Sequence, residues 1–200
     1  MHGTYIFSIH FFCYWMMVGL YDKNIPPKIF WKSVLLSLKN QLIFTYPLFI
    51  LLFKYYPLKY DNLLLSFGYI PILIISGDIY FYMTHRPLHS KWLFKYHKSH
   101  HTGVVHVAKS LDADGFEHVF GNIGSFINGV LILWYFGYII NIYTLGVWVG
   151  ISTFNTCLSH SNLKCNLDDG VHLLHHKYIK YNYGTGLYLC DRLMGTYKKV

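Results

Sequence analysis

The sequence has few charged residues. Only 13% of its 200 residues are Asp, Glu, Lys or Arg, whereas a typical soluble domain contains about 25%. Hydrophobic residues make up 54% and aromatic residues 20%. This composition favours an integral membrane protein. The net charge of +8 alone would suggest nucleic-acid binding, but the basic residues lie in short loops between apolar segments. We therefore expect no nucleic-acid partner.

Two common kinds of redox or nucleotide site are also missing. The scattered cysteines form no C-x-x-C pair, which leaves a zinc knuckle or a thiol redox motif unsupported. No glycine-rich nucleotide fingerprint is present, because Gly184-Thr185-Gly186 lacks the third glycine and the strand-turn-helix setting. If the chemistry is redox, its electrons are expected to come from another protein. The four cysteines are Cys13, Cys157, Cys165 and Cys190.

The apolar segments predict an all-α integral membrane bundle of four to five membrane helices. Segments 4–20, 33–56 and 62–83 are the first three. Pro47 interrupts the second, which is therefore expected to tilt, to kink or to sit shallowly in the membrane. The segment 119–158 is too long for one span, because a single helix of that length would measure about 60 Å, twice a bilayer core. We predict instead a helical hairpin that turns near residues 137–141.

The loop charges predict which helix ends share a side of the membrane. Segments 21–39, 85–118 and 159–200 carry 15 of the 17 Lys and Arg residues, and the opposite loop carries only Lys54 and Lys59. Positively charged loops are typical of the cytosolic side. All the histidine-rich segments then lie in a helical cap on that side.

Histidines are concentrated in residues 85–101 and 172–176, which hold eight of the 13 in the chain. Their spacings of three and four residues place them on helical faces. Eight imidazoles exceed the four ligands of one tetrahedral zinc ion, so the pattern predicts two metal ions whose identity the spacing does not fix. The eight candidate ligands are His85, His89, His97, His100, His101, His172, His175 and His176.

Other residues are weaker candidates for the same site. His160, at the end of the last predicted helix, is a candidate ninth ligand. Asp78 and Glu117 are candidates to accept the second N–H of a liganding imidazole. His118 and His106 are weaker candidate ligands, since each can be a polar residue at an interface. A proton-sensing or surface histidine cluster is the alternative to a metal site.

The histidine-rich segments are similar to the histidine boxes of a known enzyme group. Residues 78–89 resemble the first box of the fatty acid hydroxylase/sterol desaturase superfamily, and residues 97–101 resemble its second. Residues 172–176, followed by segments 182–184 and 191–196, resemble its last box and tail. The resemblance covers about 60% of the chain and divides a single membrane domain, 1–200, into N-terminal membrane helices, 1–77, and a histidine-box core, 78–196.

The resemblance implies a multi-pass enzyme of the endoplasmic reticulum with two metal ions. The metal is expected to be iron, although zinc is possible in a purified sample. O2 would be the co-substrate, and cytochrome b5 or an NAD(P)H-dependent reductase would supply electrons. The substrate would be a sterol, a sphingoid base or a fatty acyl chain that is hydroxylated or desaturated. Acid-base side chains alone cannot oxidise an unactivated C–H bond, which agrees with a metal cofactor.

Two alternatives remain open at this point. One is a catalytically inactive relative that binds metal or lipid within the membrane. The other is a metal transporter, which would need polar residues near the midplane of several helices. The histidines lie instead at the predicted helix ends, and Asp78 is the one acidic residue within the predicted spans.

Overall fold

The computed structural model describes residues 2–161 and 170–199, which leaves Cys165 outside the described part of the chain. Within these ranges the chain is helical and forms no strand, so the all-α prediction is confirmed. Four helices are long and apolar enough to cross a membrane: α1 (His2–Tyr21), α2 (Pro27–Tyr55), α3 (Leu63–Leu88) and α5 (Gly115–Tyr135). The shorter helices are α4 (Phe94–His101), α6 (Ile142–Leu158), α7 (Val171–Tyr178) and α8 (Leu189–Leu193).

Helix α2 contains a π-helical turn, Gln41–Thr45, just before Pro47. Proline has no N–H to donate and its ring crowds the carbonyl group four residues earlier, so a regular α-helical ladder cannot pass through it. The wider π turn absorbs this disturbance, as such turns do in long helices. The helix therefore continues over 29 residues. Its tilt, kink or shallow position in the membrane stays a prediction.

Helices α5 and α6 form the predicted hairpin. Helix α5 ends at Tyr135 and α6 begins at Ile142. Gly137 lies in the turn with a φ of +81°, a conformation that glycine adopts without a steric penalty. The Asn141 side chain caps α6 by accepting the N–H of Tyr143 at 2.9 Å. The hairpin, rather than one long helix, returns residue 160 to the histidine-rich end of the bundle.

The histidine-rich segments and the other interhelical loops lie at opposite ends of the bundle. The Ile142 N–H donates to the Lys59 carbonyl at 2.9 Å, so the loop after α2 meets the α5–α6 turn. At the same end, His2 Nε2 lies 2.8 Å from the Tyr60 hydroxyl. The histidine-rich segments gather at the other end, as the loop charges predict. Which of these ends faces the cytosol stays a prediction.

Close helix crossings hold the bundle together. Gly129 on α5 lies against Leu73 of α3, and a Cβ there would be 3.2 Å from the Leu73 Cα and closer still to Ser76 Oγ. Gly146 on α6 packs against α1, where a Cβ would lie 2.8 Å from Ile9 Cδ1. Many large apolar side chains point outward, and Leu64 is 88% exposed. A lipid environment suits such a surface.

We expect Gly129→Val to destabilise the bundle, because the added side chain would force α3 and α5 apart. The cost should be about 1–3 kcal/mol, as for other overpacked sites, and thermal unfolding in detergent would measure it. Gly19→Ala is the matched control, since a Cβ at Gly19 has no heavy atom within 4 Å. An unchanged unfolding midpoint for Gly129→Val would contradict the close crossing.

Candidate metal centre

Nine histidines converge at the cap end of the bundle in two groups. Within each group the ligand nitrogen atoms all lie within 4.8 Å of one another. Every histidine predicted as a ligand belongs to one of them, including His160. The five-histidine cluster is His85, His89, His97, His101 and His175, and the four-histidine cluster is His100, His160, His172 and His176.

The short helices α4 and α7 each serve both clusters. On α4, His97 and His101 belong to the five-histidine cluster and His100 to the other. On α7, His175 joins the five-histidine cluster, while its neighbours at 172 and 176 join the four-histidine cluster. The H-x-x-H-H spacing therefore spreads each set over a helical face broad enough to reach two sites. The end of α3 supplies His85, and the chain just after α6 supplies the residue at 160.

The distances between Nε2 atoms within each cluster are similar to the distances between nitrogen ligands of a single metal ion. Imidazole nitrogens bind metal at about 2.0–2.1 Å, so two ligands at a right angle to each other are separated by about 3 Å. The Nε2–Nε2 distances are 2.8 Å for His97–His101, 2.9 Å for His85–His97, 3.2 Å for His101–His175, 3.0 Å for His100–His160 and 3.2 Å for His160–His176.

Backbone carbonyl groups fix the tautomers of several rings. His85 Nδ1 lies 2.6 Å from the Tyr183 carbonyl oxygen, and His175 Nδ1 lies 2.7 Å from that of Tyr181. A carbonyl oxygen only accepts, so each Nδ1 carries the proton and Nε2 of the neutral ring is free to bind metal. His160 Nδ1 likewise lies 3.1 Å from the Thr156 carbonyl oxygen.

Glu117 lies beside His97 in a position to orient its ring. Its Oε1 atom lies 2.7 Å from His97 Nδ1, the contact predicted for a group that orients a liganding imidazole. His97 Nε2 faces His85 Nε2 at 2.9 Å, and when Nδ1 carries the proton in both rings both Nε2 atoms are unprotonated. Two lone pairs at this distance repel each other unless a cation lies between them. The donor set therefore fits a bound metal ion.

Burial favours the neutral form of the clustered rings outside the spans. Burial is the main cause that lowers the pKa of His89 to about 3, of His101 to about 4 and of His160 to about 3. Burial also lowers the pKa of His172 and His175 well below the usual value near 6.5. Neutral imidazole is the form that binds a metal.

Asp78 does not make the contact expected from the sequence. Its carboxylate oxygens accept the backbone N–H groups of Tyr188 and Leu189, each at 2.9 Å, rather than an imidazole N–H. The two-turn spacing from His85 correctly puts both residues on one helix, but the C-terminal tail docks against Asp78. This acid therefore fastens the tail to α3 and positions the site only indirectly.

Asp191 is a further positioning residue that the sequence did not reveal. It is fully buried, and its carboxylate accepts the Tyr183 N–H at 2.9 Å, the Gly184 N–H at 2.6 Å and the Thr196 hydroxyl at 2.7 Å. These bonds hold the turn whose carbonyl groups orient His85 and its neighbours. A single acid 15 residues beyond the last box has no spacing that indicates such a role.

The weaker histidine candidates lie outside both clusters. His106 Nδ1 lies 2.9 Å from the Asp22 carboxylate, which also accepts the Val107 N–H at 2.8 Å. This pair fixes the loop after α4 to the end of α1. His118 Nε2 lies 2.8 Å from Thr45 Oγ1, between α5 and α2. Both side chains therefore connect elements of the fold.

A cavity of about 670 Å³ adjoins the clusters. Its walls come from α3, α5, α6 and the tail, and four histidines from the two clusters form one end. Its size lies within the range of small-molecule sites, and most of its wall is apolar. The lining includes His85, His100, His160 and His172 together with Ile74, Phe81, Trp148, Ile151, Phe154 and Leu187.

The family model for fatty acid hydroxylases matches residues 70–196, a stretch that includes all nine clustered histidines. The chain belongs to the fatty acid hydroxylase family. The resemblance to the fatty acid hydroxylase/sterol desaturase superfamily, predicted from the histidine boxes, is thereby confirmed. No solved structure matches the chain.

Curated relatives of this hydroxylase-family chain come from fungi. A Delta(7)-sterol 5(6)-desaturase of Leptosphaeria maculans is 28% identical over 78% of this chain and 46% of its own length. A Delta(7)-sterol 5(6)-desaturase of Schizosaccharomyces pombe is 29% identical over 84% of this chain and 54% of its own. A fatty acid hydroxylase of Mycosarcoma maydis is 31% identical over 56% of this chain and 29% of its own. The chain spans about half the length of these sterol desaturases.

We expect Glu117→Gln to weaken metal binding by about 10–100-fold. This is the usual loss of metal affinity when a group that orients a metal ligand is removed. With a metal ion bound, an ionised carboxylate beside His97 Nδ1 would strengthen that ligand, and a neutral amide cannot do so. Titration of the metal-free protein with Fe(II) under anaerobic conditions would measure the affinity. Asp114→Asn is the control, because Asp114 caps α5 through the Phe116 N–H and asparagine also caps helices. Equal affinities in both variants would refute the role of Glu117.

Proposed function

We propose that this protein is a membrane-bound oxidoreductase that uses O2 to hydroxylate or desaturate a lipid. The observation that carries the proposal is the meeting of two histidine clusters with an apolar cavity at one end of a membrane-sized bundle. The names of the relatives, sterol desaturase and fatty acid hydroxylase, support a lipid substrate. The substrate would be a sterol, a sphingoid base or a fatty acyl chain.

Each cluster would hold one metal ion through its Nε2 atoms. Iron suits imidazole ligands and redox chemistry, whereas zinc would bind the same nitrogens in a purified sample without that chemistry. Bound iron would supply the electron-transfer chemistry with O2 that side chains lack. Cytochrome b5 or an NAD(P)H-dependent reductase would deliver the electrons, since the sequence has no nucleotide fingerprint of its own.

The protein's own groups orient the ligands and hold the substrate. The carbonyl groups of Tyr181 and Tyr183 and the Glu117 carboxylate keep protons on Nδ1 atoms, so that Nε2 atoms remain available. The apolar wall, including Phe81 and Trp148, would pack against the lipid and exclude water from the reacting carbon. The lipid would enter from the bilayer, because Ile151 and Phe154 are more than one-third exposed on the outside of the bundle.

The distribution of charge supports an orientation in which the histidine clusters face the cytosol, and the family resemblance implies the endoplasmic reticulum as the membrane. Fifteen of the 17 Lys and Arg residues belong to the segments predicted for that side, in agreement with the positive-inside pattern. In this arrangement the whole chain, 1–200, forms one membrane domain. Residues 1–77 contribute membrane helices to it, and residues 78–196 contribute the histidine-box core.

Lipid analysis of cells with and without the protein tests the proposal. We expect one lipid to gain an oxygen atom or to lose two hydrogen atoms when the wild-type chain is present. Cells expressing the His100→Ala/His175→Ala variant at equal level should lack that product. Bound metal without any lipid product would identify an inactive metal-binding relative, and metal uptake without a product would identify a transporter.

A further inference from the structure

The cavity beside the histidine clusters has no positively charged residue among its described lining residues. It contains two acids, Asp78 and Glu117, and neither Lys nor Arg. A carboxylate or phosphate that enters an apolar cavity loses its hydration, and here no cationic side chain would replace it. Apart from the metal ions proposed for the clusters, the cavity therefore offers no positive charge to an anionic group, which favours a neutral part of the substrate.

Three of the six hydroxyl groups on the cavity wall donate to backbone carbonyl groups. Ser125 donates to the Asn122 carbonyl at 2.8 Å, and Thr156 donates to the Ser152 carbonyl at 3.0 Å. Ser159 donates to the Thr156 carbonyl at 2.9 Å. Each hydroxyl has a single hydrogen to donate, so these groups have no donor left for a ligand.

Asn155 and Thr185 form a polar pair on the wall that does not use its groups in this way. Asn155 Nδ2 of α6 donates to Thr185 Oγ1 of the tail at 3.2 Å, and both residues line the cavity. In this geometry the Asn155 Oδ1 atom remains an acceptor and the Thr185 hydroxyl hydrogen remains a donor. A lipid hydroxyl group both donates and accepts, so the pair is complementary to it. Gly186, with a φ of +97°, leaves room beside Asn155, where a Cβ would lie 3.3 Å from Nδ2.

The pair also lies close to the four-histidine cluster. Thr185 follows Gly184, whose carbonyl oxygen is 3.4 Å from His172 Nδ1. Asn155 is five residues before His160, a distance of about 7.5 Å along a helix at 1.5 Å per residue. A hydroxyl held by the pair would therefore place the neighbouring carbon atoms next to the clustered histidines.

We propose that Asn155 and Thr185 bind the hydroxyl group of a neutral lipid and select such lipids over those with ionised head groups. This inference rests on the proposed function, because it takes the cavity as the lipid site. It assigns a specificity-determining role to two residues outside the histidine boxes. It also narrows the substrate class to lipids that carry a hydroxyl within a few bonds of the oxidised carbon.

Competition binding on the purified full-length chain in detergent tests the inference. Tritiated 1-hexadecanol is the probe, read by scintillation proximity, with unlabelled 1-hexadecanol, hexadecane and ionised palmitate as competitors. We expect the wild-type chain to prefer the alcohol to both others by at least about 10-fold, the effect of one to two hydrogen bonds. Cholesterol and its 3-deoxy analogue, 5-cholestene, provide the same comparison for ring-shaped lipids.

The preference should disappear in Asn155→Leu/Thr185→Val, which keeps the side-chain volumes but removes the polar groups. Thr185→Ser should keep it, because the hydroxyl remains. Thr144→Val is the matched control, since Thr144 is buried on α6 outside the cavity. Circular dichroism and thermal unfolding would confirm that each variant is folded.

Equal competition by the alcohol and its analogues in the wild-type chain would overturn the inference, and so would an unchanged preference in the double variant. Preference for palmitate would also overturn it, because it would assign the cavity to an ionised lipid. The assay needs neither O2 nor electrons. A hydroxyl preference without any oxidised lipid in cells would refute the proposed function alone, whereas an oxidised lipid without the preference would refute only this inference.

Discussion

His100→Ala combined with His175→Ala should leave less than about one-tenth of the wild-type metal on the purified protein. Lipid oxidation should fall by at least about 100-fold, because each substitution removes a direct ligand and even indirect partners of a ligand contribute 10–100-fold. His100 belongs to the four-histidine cluster and His175 to the five-histidine cluster, so the pair disables both sites. Metal analysis by mass spectrometry and product analysis by chromatography would measure the two effects.

The single variants separate the two sites. We expect His100→Ala and His175→Ala each to lose about one metal ion per chain, since each substitution disables one cluster and leaves the other intact. His2→Ala is the matched control, because His2 contacts Tyr60 at the opposite end of the bundle, and it should keep both ions. Full metal content and full activity in the double variant would show that the clusters are not a metal centre.

Asp191→Ala should both destabilise the protein and reduce its metal content. The substitution removes the acceptor of three buried hydrogen bonds, from Tyr183, Gly184 and Thr196. Leaving such donors unpaired costs about 2–4 kcal/mol in total after partial relaxation. The tail carbonyl groups that orient His85 and its neighbours would shift as a consequence. Thermal unfolding and metal analysis of the same preparation would measure the two effects.

A second pair of variants separates orientation from simple stability. Asp191→Asn keeps one acceptor oxygen, and we expect it to recover part of the metal content lost in the alanine variant. Asp61→Ala, an exposed acid at the other end of the bundle, should behave as wild type in both measurements. Loss of stability in Asp191→Ala with two ions still bound would contradict a role for the tail in orienting the ligands.

The main helices and the set of histidines that converge at one end of the bundle could be predicted from local properties of the sequence. Long apolar segments predict membrane helices because the bilayer fixes their length, and the hairpin followed from the excess length of residues 119–158. The histidine spacing predicted helical faces that converge. His160 was a weaker candidate because it stands alone, and only the hairpin geometry brings it within 3.0 Å of His100.

The remaining features depend on how distant segments dock, which local spacing does not encode. The division of α4 between two clusters requires the positions of α3 and α7. Asp78 and Asp191 act through the C-terminal tail, and the tail meets Asp78 across 110 residues of sequence. Pro47 was expected to make α2 tilt, kink or sit shallowly, and the π turn that accommodates this proline arises within a helix already held by its neighbours.

Metal analysis combined with X-ray absorption on the wild-type chain, purified by mild solubilisation from iron-supplemented cells, tests the central claim most directly. The structure leads us to expect two ions per chain, each surrounded mainly by imidazole nitrogens at about 2.0–2.2 Å. His175→Ala should retain about one. A wild-type preparation that is folded, is kept free of chelators and contains no bound metal would contradict the claim that these nine histidines form a two-metal centre.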